Sequence, residues 1–364
     1  MFNELAVLAI LPGENSSGLK PVIEDHEGHP DFPVIRYFYR PSRCGIAMVA
    51  GLINLIQFVI RSLAGYRYVS RHYGPFDLMH IHILTRAAVI PILVNLLTGK
   101  PYIISEHWTR YLPENWGFSG LVRRTLTRLI VCRASAVTTV SGFLKNAMKD
   151  CGLRNKKFII IPNTIDGNLF TIAGKHADAQ QKRILHVSNF HERSKNLHGI
   201  LRVIKILGEQ RKDFDILFIG GDEPFLGEAR RFASGLVLES PHVTFQGPLT
   251  AIELAAVYRE SSFLLIFSNF ESFSVVIPEA LCCGTPVLAT SAGGIPEYFT
   301  ALAGRLTAPG NETELLDNLN FMLDNYATFD PQRLRSLVEQ RFSLRTVGSQ
   351  FNDLYRSILK VVAQ

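Results

Sequence analysis

Short apolar runs alternate with helix-length segments along most of the chain, and this pattern limits the fold more than any other feature. Such runs are rich in Val, Ile and Phe and apolar at nearly every position, which is typical of parallel strands covered on both faces. Strands that alternate with helices predict an α/β fold with doubly wound sheets. Nine runs have this character: 76–84, 101–105, 136–141, 157–163, 182–189, 214–221, 242–247, 262–268 and 285–291.

The length of 364 residues fits two domains at about 150 residues each. The polar segment Asn163–Gln181 separates two strand-like runs, and we place the boundary there. The first domain is predicted to span residues 1–170 and the second residues 171–342. In the last segment, 343–364, apolar residues recur at helical spacing on one face, so we expect a helix there that joins the first domain.

Composition excludes several classes of protein. Hydrophobic residues make up 47% of the chain and charged residues 19%, which does not fit a disordered chain or a coiled coil. The net charge of +6 permits an anionic ligand or a membrane surface without requiring either. The five cysteines form no C-x-x-C pair, so we expect reduced thiols in a cytosolic protein and no zinc site. Cys132, Cys282 and Cys283 lie in apolar surroundings and are predicted to be buried.

Three segments bear on membrane contact. The first residues lack the basic start and cleavage site of a signal peptide. The apolar run Ile46–Ile60 is shorter than the ~20 residues that cross a bilayer, so we predict a core or interfacial helix. The segment Leu121–Arg133 mixes four arginines with apolar residues. It fits either a surface helix with a solvated basic face or a helix that lies on anionic lipid. No motif indicates nucleic-acid binding.

The segment 262–298 holds two acids at positions that suit a ligand site. Glu271 follows a predicted strand, and Glu279 directly follows Pro278, which favours the first helical position. Ligands of open α/β sheets bind at the carboxyl ends of strands, and a helix N-terminus favours a phosphate. An acid in the first turn of a helix also stabilises that helix by itself. From the residues alone, a capping role for Glu279 and a solvated loop charge for Glu271 therefore stay open.

The acids and the residues that follow them resemble a known family. The two glutamates form E-x7-E, and E-A-x-x-C-G-x-P-V-x-A-T-x-x-G-G-I-P-E begins at the second of them. This stretch resembles the donor domain of the family-four retaining glycosyltransferases, which have the GT-B fold of two Rossmann-like domains facing across a cleft. The resemblance runs from about Phe76 to the end of the chain. It extends to the segments 137–148, 158–170, 186–201 and 242–268.

The resemblance implies roles for particular residues. Glu279 would hold the ribose hydroxyls of a nucleotide, and Glu271 would bind the donor sugar. Lys195 would pair with the diphosphate and offset the charge of the leaving group. His107 would face the donor sugar from the acceptor side. Further nucleotide-sugar contacts are expected from Ser272, Phe273 and Ser274 through their backbone N–H groups, and from Asn189, Arg193 and Asn163.

Two departures from the family pattern stand out. Asn189 occupies the position of a usual arginine, for which Arg193 or Arg305 could compensate. The family's opening strand and glycine-rich turn are missing, and ELAVLAIL resembles the second strand of the family. We therefore expect a gap in the first sheet that another segment fills, or a chain that starts later than its relatives.

The sequence predicts a retaining glycosyltransferase. It would move a sugar from a UDP- or GDP-sugar to a glycan or lipid-linked acceptor, and surface polysaccharide synthesis is its expected role. No metal or cofactor is expected, and the cytoplasm or the cytoplasmic face of the inner membrane is the expected location. A non-catalytic nucleotide-sugar-binding relative and a nucleotide-sugar epimerase of the same fold are the alternatives.

Overall fold

In the computed structural model, the described residues are 6–12, 21–26, 29–84, 88–115, 117–172, 182–236 and 243–362. Residues 173–181, the second half of the predicted domain boundary, lie outside them. The described chain forms three sheets with helices against them. All nine predicted strands are present, which confirms the α/β fold.

A small sheet begins the chain. It consists of β1 (Val7–Pro12), β2 (Val22–His26) and β3 (His29–Tyr39), in the order β1-β3-β2. β1 runs parallel to β3, and β2 runs antiparallel to it. The helix α1 (Ala47–His72) follows and packs on β1 and β3. The predicted helix at 46–60 therefore continues to residue 72.

The second sheet has the order β4-β5-β6-β7, with all strands parallel. Within the described residues, none of its strands pairs with a strand of the first sheet. Gly99 ends α2 in a left-handed conformation ahead of Pro101. The elements are β4 (Met79–His82), α2 (Val89–Thr98), β5 (Tyr102–Glu106), α3 (Leu121–Arg133), β6 (Ala136–Thr139), α4 (Gly142–Asp150) and β7 (Phe158–Ile160).

The third sheet is entirely parallel, with the order β10-β9-β8-β11-β12-β13. Its strands are β8 (Lys182–Ser188), β9 (Phe214–Gly220), β10 (Val243–Gln246), β11 (Phe263–Ile266), β12 (Val287–Thr290) and β13 (Gly304–Thr307). Its helices are α5 (Glu192–Lys195), α6 (Leu197–Gln210), α7 (Phe225–Gly235), α8 (Ala251–Glu260), α9 (Val276–Cys282), α10 (Glu312–Asn325) and α11 (Pro331–Phe342).

The last helix, α12 (Leu344–Val362), returns to the sheet β4–β7. Its buried residues Val347, Leu354 and Ile358 share a core cluster with Ile103 of β5 and Ala136 of β6. The one-sided apolar spacing of this segment is the physical reason, since a helix with one apolar stripe needs a sheet to cover it.

Two local predictions are wrong. Cys132 is exposed, because α3 turns only Ile130 and Val131 into the core; Cys282 and Cys283 are buried as predicted. The helix α9 starts at Val276, so Pro278 is its third residue and does not open it. Glu279 still lies in the first turn.

Candidate active site

The middle of the third sheet is a topological switch point. The neighbours β8 and β11 lie at its centre, and the connections leave them toward opposite edges. A crevice forms at the carboxyl ends of such strands, where ligands of α/β proteins bind. His186 on β8 ties the two strands together, because its Nδ1 donates to the Leu265 carbonyl at 2.9 Å. Burial lowers the pKa of His186 to about 4, so the ring is neutral near pH 7.

An ion pair lies at this crevice. Lys195, at the end of the short helix α5, donates from Nζ to Oε1 of Glu271, which follows β11. Ser268 donates to the same oxygen at 2.9 Å. Glu271 is only 6% exposed, so these two donors stabilise a buried carboxylate. The structure thus brings together the predicted cation and the first predicted acid.

The loop after Glu271 lies tightly against a pair of glycines. Gly293 has a φ of +58°, and a Cβ there would lie 1.8 Å from the Glu271 carbonyl oxygen. The Gly294 N–H donates to that same carbonyl at 3.2 Å. Ser274 also has a positive φ, of +67°, which is unusual for a residue with a side chain. The G-G-I-P-E segment therefore fixes the backbone on which Glu271 is carried.

Glu279 lies in the first turn of α9 and has a different partner from that of Glu271. The Tyr258 hydroxyl of α8 donates to Glu279 Oε2 at 2.9 Å. Burial raises the pKa of Glu279 to about 7, and the hydrogen bond from Tyr258 partly opposes this rise. The second acid is therefore poised to change charge near neutral pH.

His107 faces the site from the first domain. It follows β5, and its Nδ1 donates to Asn163 Oδ1 at 2.9 Å, which joins two predicted site residues. Glu106, fully buried beside it, accepts from the N–H groups of Leu84, His107 and Trp108, each at 3.0 Å. The carboxylate of Glu106 therefore orients the turn that carries His107.

Two further histidines precede this turn on β4. His80 is held between the Tyr355 hydroxyl and Ser105 Oγ, each at 2.7 Å, and burial lowers its pKa to about 3. This histidine is structural, because it binds α12 to the sheet. His82 is exposed, and its ring centre lies 5.9 Å from that of His107 in a stacked arrangement. His82 therefore lines the cleft beside His107.

Hydrogen bonds join the two domains at the site. Ser272 donates to the His107 carbonyl at 2.8 Å, and Ser141 donates to the Ser272 carbonyl at 2.7 Å. Nearby, the Glu297 carboxylate accepts from the N–H groups of Gly142 and Phe143 at the start of α4. Negative charge at a helix N-terminus is favourable, so this contact stabilises the interface between the domains.

Other predicted residues contribute less to the crevice. Asn189 is exposed, and its Oδ1 accepts from the His191 N–H within its own loop at 3.2 Å. Arg193 donates to the Glu114 carbonyl of the first domain. The Phe273 side chain is 2% exposed and packs on Tyr298 and Phe342, so only its backbone is available to a ligand.

Arg305 does not replace the missing arginine. Its guanidinium lies 3.5 Å from the centre of the Phe321 ring and donates to Asn318 Oδ1 at 3.2 Å. Both partners belong to α10, against which the edge strand β13 packs, and this contact explains the departure from the expectation.

The sequence pattern did not single out His186, Glu106 or Tyr258. Each of them has a partner at least one element away in the chain, namely Leu265, Leu84 and Glu279, although Glu106 also binds the next two residues. Spacing along the chain carries no signal for such contacts. The one available clue was a titratable side chain inside an apolar strand-like run, at His186, or directly after one, at Glu106.

Two α/β domains with parallel sheets that meet at such a cleft define the GT-B fold. The structure is similar to that of sucrose-phosphate synthase from Thermosynechococcus elongatus, with a TM-score of 0.77 and 20% identity over 97% of this chain and 89% of that one. It is also similar to Anabaena HepE in complex with UDP and glucose, with a TM-score of 0.71 and 21% identity over 90% and 87% of the two chains.

Family models place the sequence more narrowly. Residues 22–169 match "Glycosyltransferase Family 4", and residues 181–325 match "Glycosyl transferases group 1". A curated relative, N-acetyl-alpha-D-glucosaminyl L-malate synthase of Bacillus anthracis, is 25% identical over 78% of this chain and 75% of its own length. The chain belongs to the group 1 glycosyltransferases, which confirms the enzyme class implied by the motif.

Proposed function

We propose that this enzyme is a retaining glycosyltransferase that moves a sugar from a UDP- or GDP-sugar to a glycan or lipid-linked acceptor. Surface polysaccharide synthesis in the cytoplasm is the process that we assign to it. The observation that carries the proposal is the pair of Lys195 and Glu271 at the switch point. A solved structure of similar fold contains UDP and glucose, which supports the choice of a nucleotide-sugar donor.

In this proposal Lys195 leaves Glu271 when the donor binds and forms an ion pair with the donor diphosphate. A departing nucleoside diphosphate gains negative charge, and a fixed ammonium lowers the barrier to its departure. Glu271 is then available to accept hydrogen bonds from the hydroxyls of the sugar. The backbone N–H groups of Ser272, Phe273 and Ser274 meet the sugar and phosphate, and Arg193 and Asn189 border the diphosphate.

The proposed role of Glu279 is to bind the ribose. A carboxylate accepts hydrogen bonds from two adjacent hydroxyls at once, and the charge makes these bonds stronger than neutral ones. Tyr258 holds one carboxylate oxygen and so fixes the orientation of the group. On the other side of the cleft, His107 is oriented by Asn163 and Glu106 toward the sugar.

The reaction replaces one bond at the anomeric carbon by another on the same face. The bond to the leaving phosphate oxygen breaks, the acceptor oxygen bonds to the carbon, and the acceptor proton passes to the leaving phosphate. This route needs no carboxylate nucleophile. We also propose that it needs no metal, because Lys195 and backbone N–H groups supply the positive charge. Activity that falls on addition of EDTA and returns with Mg²⁺ would contradict this part.

Calorimetric titration with UDP and GDP tests the proposal. We expect one nucleotide to bind the wild type, and Glu279→Gln to weaken that binding about tenfold, since a charged acceptor is lost. The matched control is Glu209→Gln on the exposed face of α6. If the folded protein binds neither nucleotide, the donor assignment is wrong.

One observation favours the alternative of a non-catalytic relative. Asn189 contacts only its own loop among the contacts described, and Arg305 is held on α10. Transfer of sugar from the donor whose nucleotide binds separates the two cases. A protein that binds the donor but neither transfers its sugar nor hydrolyses it would be a non-catalytic relative. No observation in the described residues favours the epimerase.

A further inference from the structure

The outward side of α1 carries many exposed aliphatic side chains. Its buried side is narrow and consists of Phe58, Ser62 and Gly65 at helical spacing, with Leu8 of β1 packed against Gly65. Only 17% of the most apolar 18-residue stretch of α1 is buried, although the mean hydropathy of that stretch is 1.6. The exposed residues are Met48, Val49, Leu52, Ile53, Leu55, Ile56, Ile60 and Leu63.

The neighbouring helices extend this face. α1 packs against α2, which exposes Leu93, Leu96 and Leu97. Right-handed crossovers between successive parallel strands place α2 and α3 on the same face of the sheet β4–β7. α3 exposes Val122, Leu126 and Leu129, spaced to form one stripe. We call these exposed side chains of α1, α2 and α3 the aliphatic surface. α1 and α2 are in contact, so their exposed aliphatic side chains form one patch. Monomeric proteins rarely expose a large apolar patch without a partner.

Positive charge accompanies the aliphatic surface. Residues 33–149 contain fifteen Lys and Arg residues but three Asp and Glu residues, and no acid occurs between residues 33 and 76. The whole chain has a net charge of only +6, so the rest of it is acidic overall. Arg67 and Arg71 on α1, and Arg123 and Arg124 on α3, are exposed. The partner of this region should therefore be both apolar and anionic.

We propose that the aliphatic surface docks the enzyme on an anionic lipid bilayer. Aliphatic side chains would enter the boundary between headgroups and acyl chains, while the arginines would pair with anionic headgroups. By length and composition, α1 could also cross a membrane. We expect it to lie on the membrane surface, because it connects β3 to β4 and packs on β1 and β3.

Charge argues against a second copy of the chain as the partner. Pairing two such surfaces would bring two strongly basic regions together, and like charges across an interface oppose association. A bilayer that contains anionic lipid matches both the exposed aliphatic side chains and the positive charge of this region. The inference concerns a surface outside the cleft and does not depend on the identity of the donor.

Vesicle flotation tests the proposal with the full chain. The probes are vesicles of phosphatidylcholine alone and of an equimolar mixture with phosphatidylglycerol. We compare the wild type with Leu52→Gln/Ile56→Gln, with Arg67→Gln/Arg71→Gln, and with Ile252→Gln. Ile252 is the matched control, because it is 72% exposed on α8 in the other domain.

We expect the wild type to bind the mixed vesicles and to bind neutral vesicles at least about tenfold more weakly. Leu52→Gln/Ile56→Gln should lower binding to mixed vesicles about tenfold, and Ile252→Gln should leave it unchanged. The arginine variant should bind more weakly and lose most of its dependence on salt. All variants should unfold at the wild-type temperature, since the substituted residues are exposed.

Four outcomes would overturn the proposal. In the first, the folded wild type does not float with mixed vesicles. In the second, the Leu52→Gln/Ile56→Gln variant floats as well as the wild type. Alternatively, sedimentation shows a dimer that this double variant converts to a monomer, in which case the surface joins two copies. A large fall in unfolding temperature in the same variant, without vesicle binding by the wild type, would show that other residues of the protein cover the surface.

Discussion

The Tyr258 hydroxyl donates a 2.9 Å hydrogen bond to Glu279, and this carboxyl has a pKa of about 7 because it is largely buried. Burial disfavours the charged form of an acid, whereas the tyrosine favours it. The pair joins α8 to α9 beside the crevice. Two pH-dependent properties should follow from this one contact.

The first is nucleotide affinity. If Glu279 binds ribose hydroxyls, the carboxylate binds them better than the protonated acid. We expect the affinity of the wild type to rise from about pH 6 to about pH 8, as the group ionises around its folded pKa. Tyr258→Phe removes a donor to the carboxylate, so its binding profile should move to higher pH. Calorimetry at a series of pH values measures both.

Glu279→Gln provides the control for this profile. Its affinity should be low and nearly independent of pH over the same range. A wild-type profile that is flat, or that has the same shape in the glutamine variant, would mean that another group governs binding.

The second property is stability. The pKa of Glu279 is raised in the folded state above its ordinary value of 4.5, so the folded protein holds a proton that the unfolded chain releases. Its contribution to the free energy of unfolding is therefore lost as the pH rises from about 4.5 to about 7. Glu279→Gln should consequently be more stable than the wild type at pH 8, by on the order of 2 kcal/mol. At pH 4 the two should be nearly equal.

Urea unfolding at both pH values checks this sign. Glu209→Gln, at an exposed position on α6, should show no such change between the two pH values. A glutamine variant of Glu279 that is less stable than the wild type at pH 8 would mean that the carboxylate is stabilised in the fold.

Lys195 should matter for turnover more than its position in a short helix suggests. Lys195→Met should lower kcat by about 10²- to 10³-fold, because a fixed charge at the leaving group is lost. It should also cost about 3 kcal/mol of stability, since it leaves the buried Glu271 without its cation. Lys205→Met, on the exposed side of α6, is the matched control.

Turnover should be measured with the sugar nucleotide whose nucleotide binds, at saturating donor. Urea unfolding of the same samples separates the two effects. Full activity of Lys195→Met in a folded protein would remove Lys195 from the reaction and favour a structural role in pairing Glu271.

Strand pattern predicted most of the fold, because a parallel sheet needs continuous apolar runs that can be seen locally. It missed β13, which is four residues long and carries the exposed Arg305. It missed β2 and β3 for a related reason, since polar and proline residues interrupt the first 39 positions. The exposure of α1 was also not predictable from its residues, because an apolar helix gives no sign of how much of it the sheet will cover.

The sequence could point to residues of the candidate site only where they are close in the chain or belong to the motif. Lys195 and Glu271 are 76 positions apart, and the motif resemblance alone brought them together. Glu106 and Tyr258 were missed because a buried polar side chain reveals its purpose only through its partners. Arg305 was expected to compensate for the missing arginine because its charge can be read from the sequence. Its contact with the ring of Phe321, which holds it elsewhere, cannot be read there.

Gly293 offers a test of how the loop controls the site. It has a φ of +58°, and a Cβ at this position would meet the Glu271 carbonyl oxygen at 1.8 Å. Gly293→Ala should therefore move the backbone that carries Glu271, with a loss of more than about 2 kcal/mol of stability and most of the transfer activity. Gly348→Ala is the matched control, because its Cβ would meet nothing within 4 Å in the helix α12. That substitution should stabilise the protein by up to about 1 kcal/mol. Thermal unfolding and transfer assays on both variants measure the difference. If Gly293→Ala is as stable and as active as Gly348→Ala, the loop that carries Glu271 can move away from the glycine pair without loss of function.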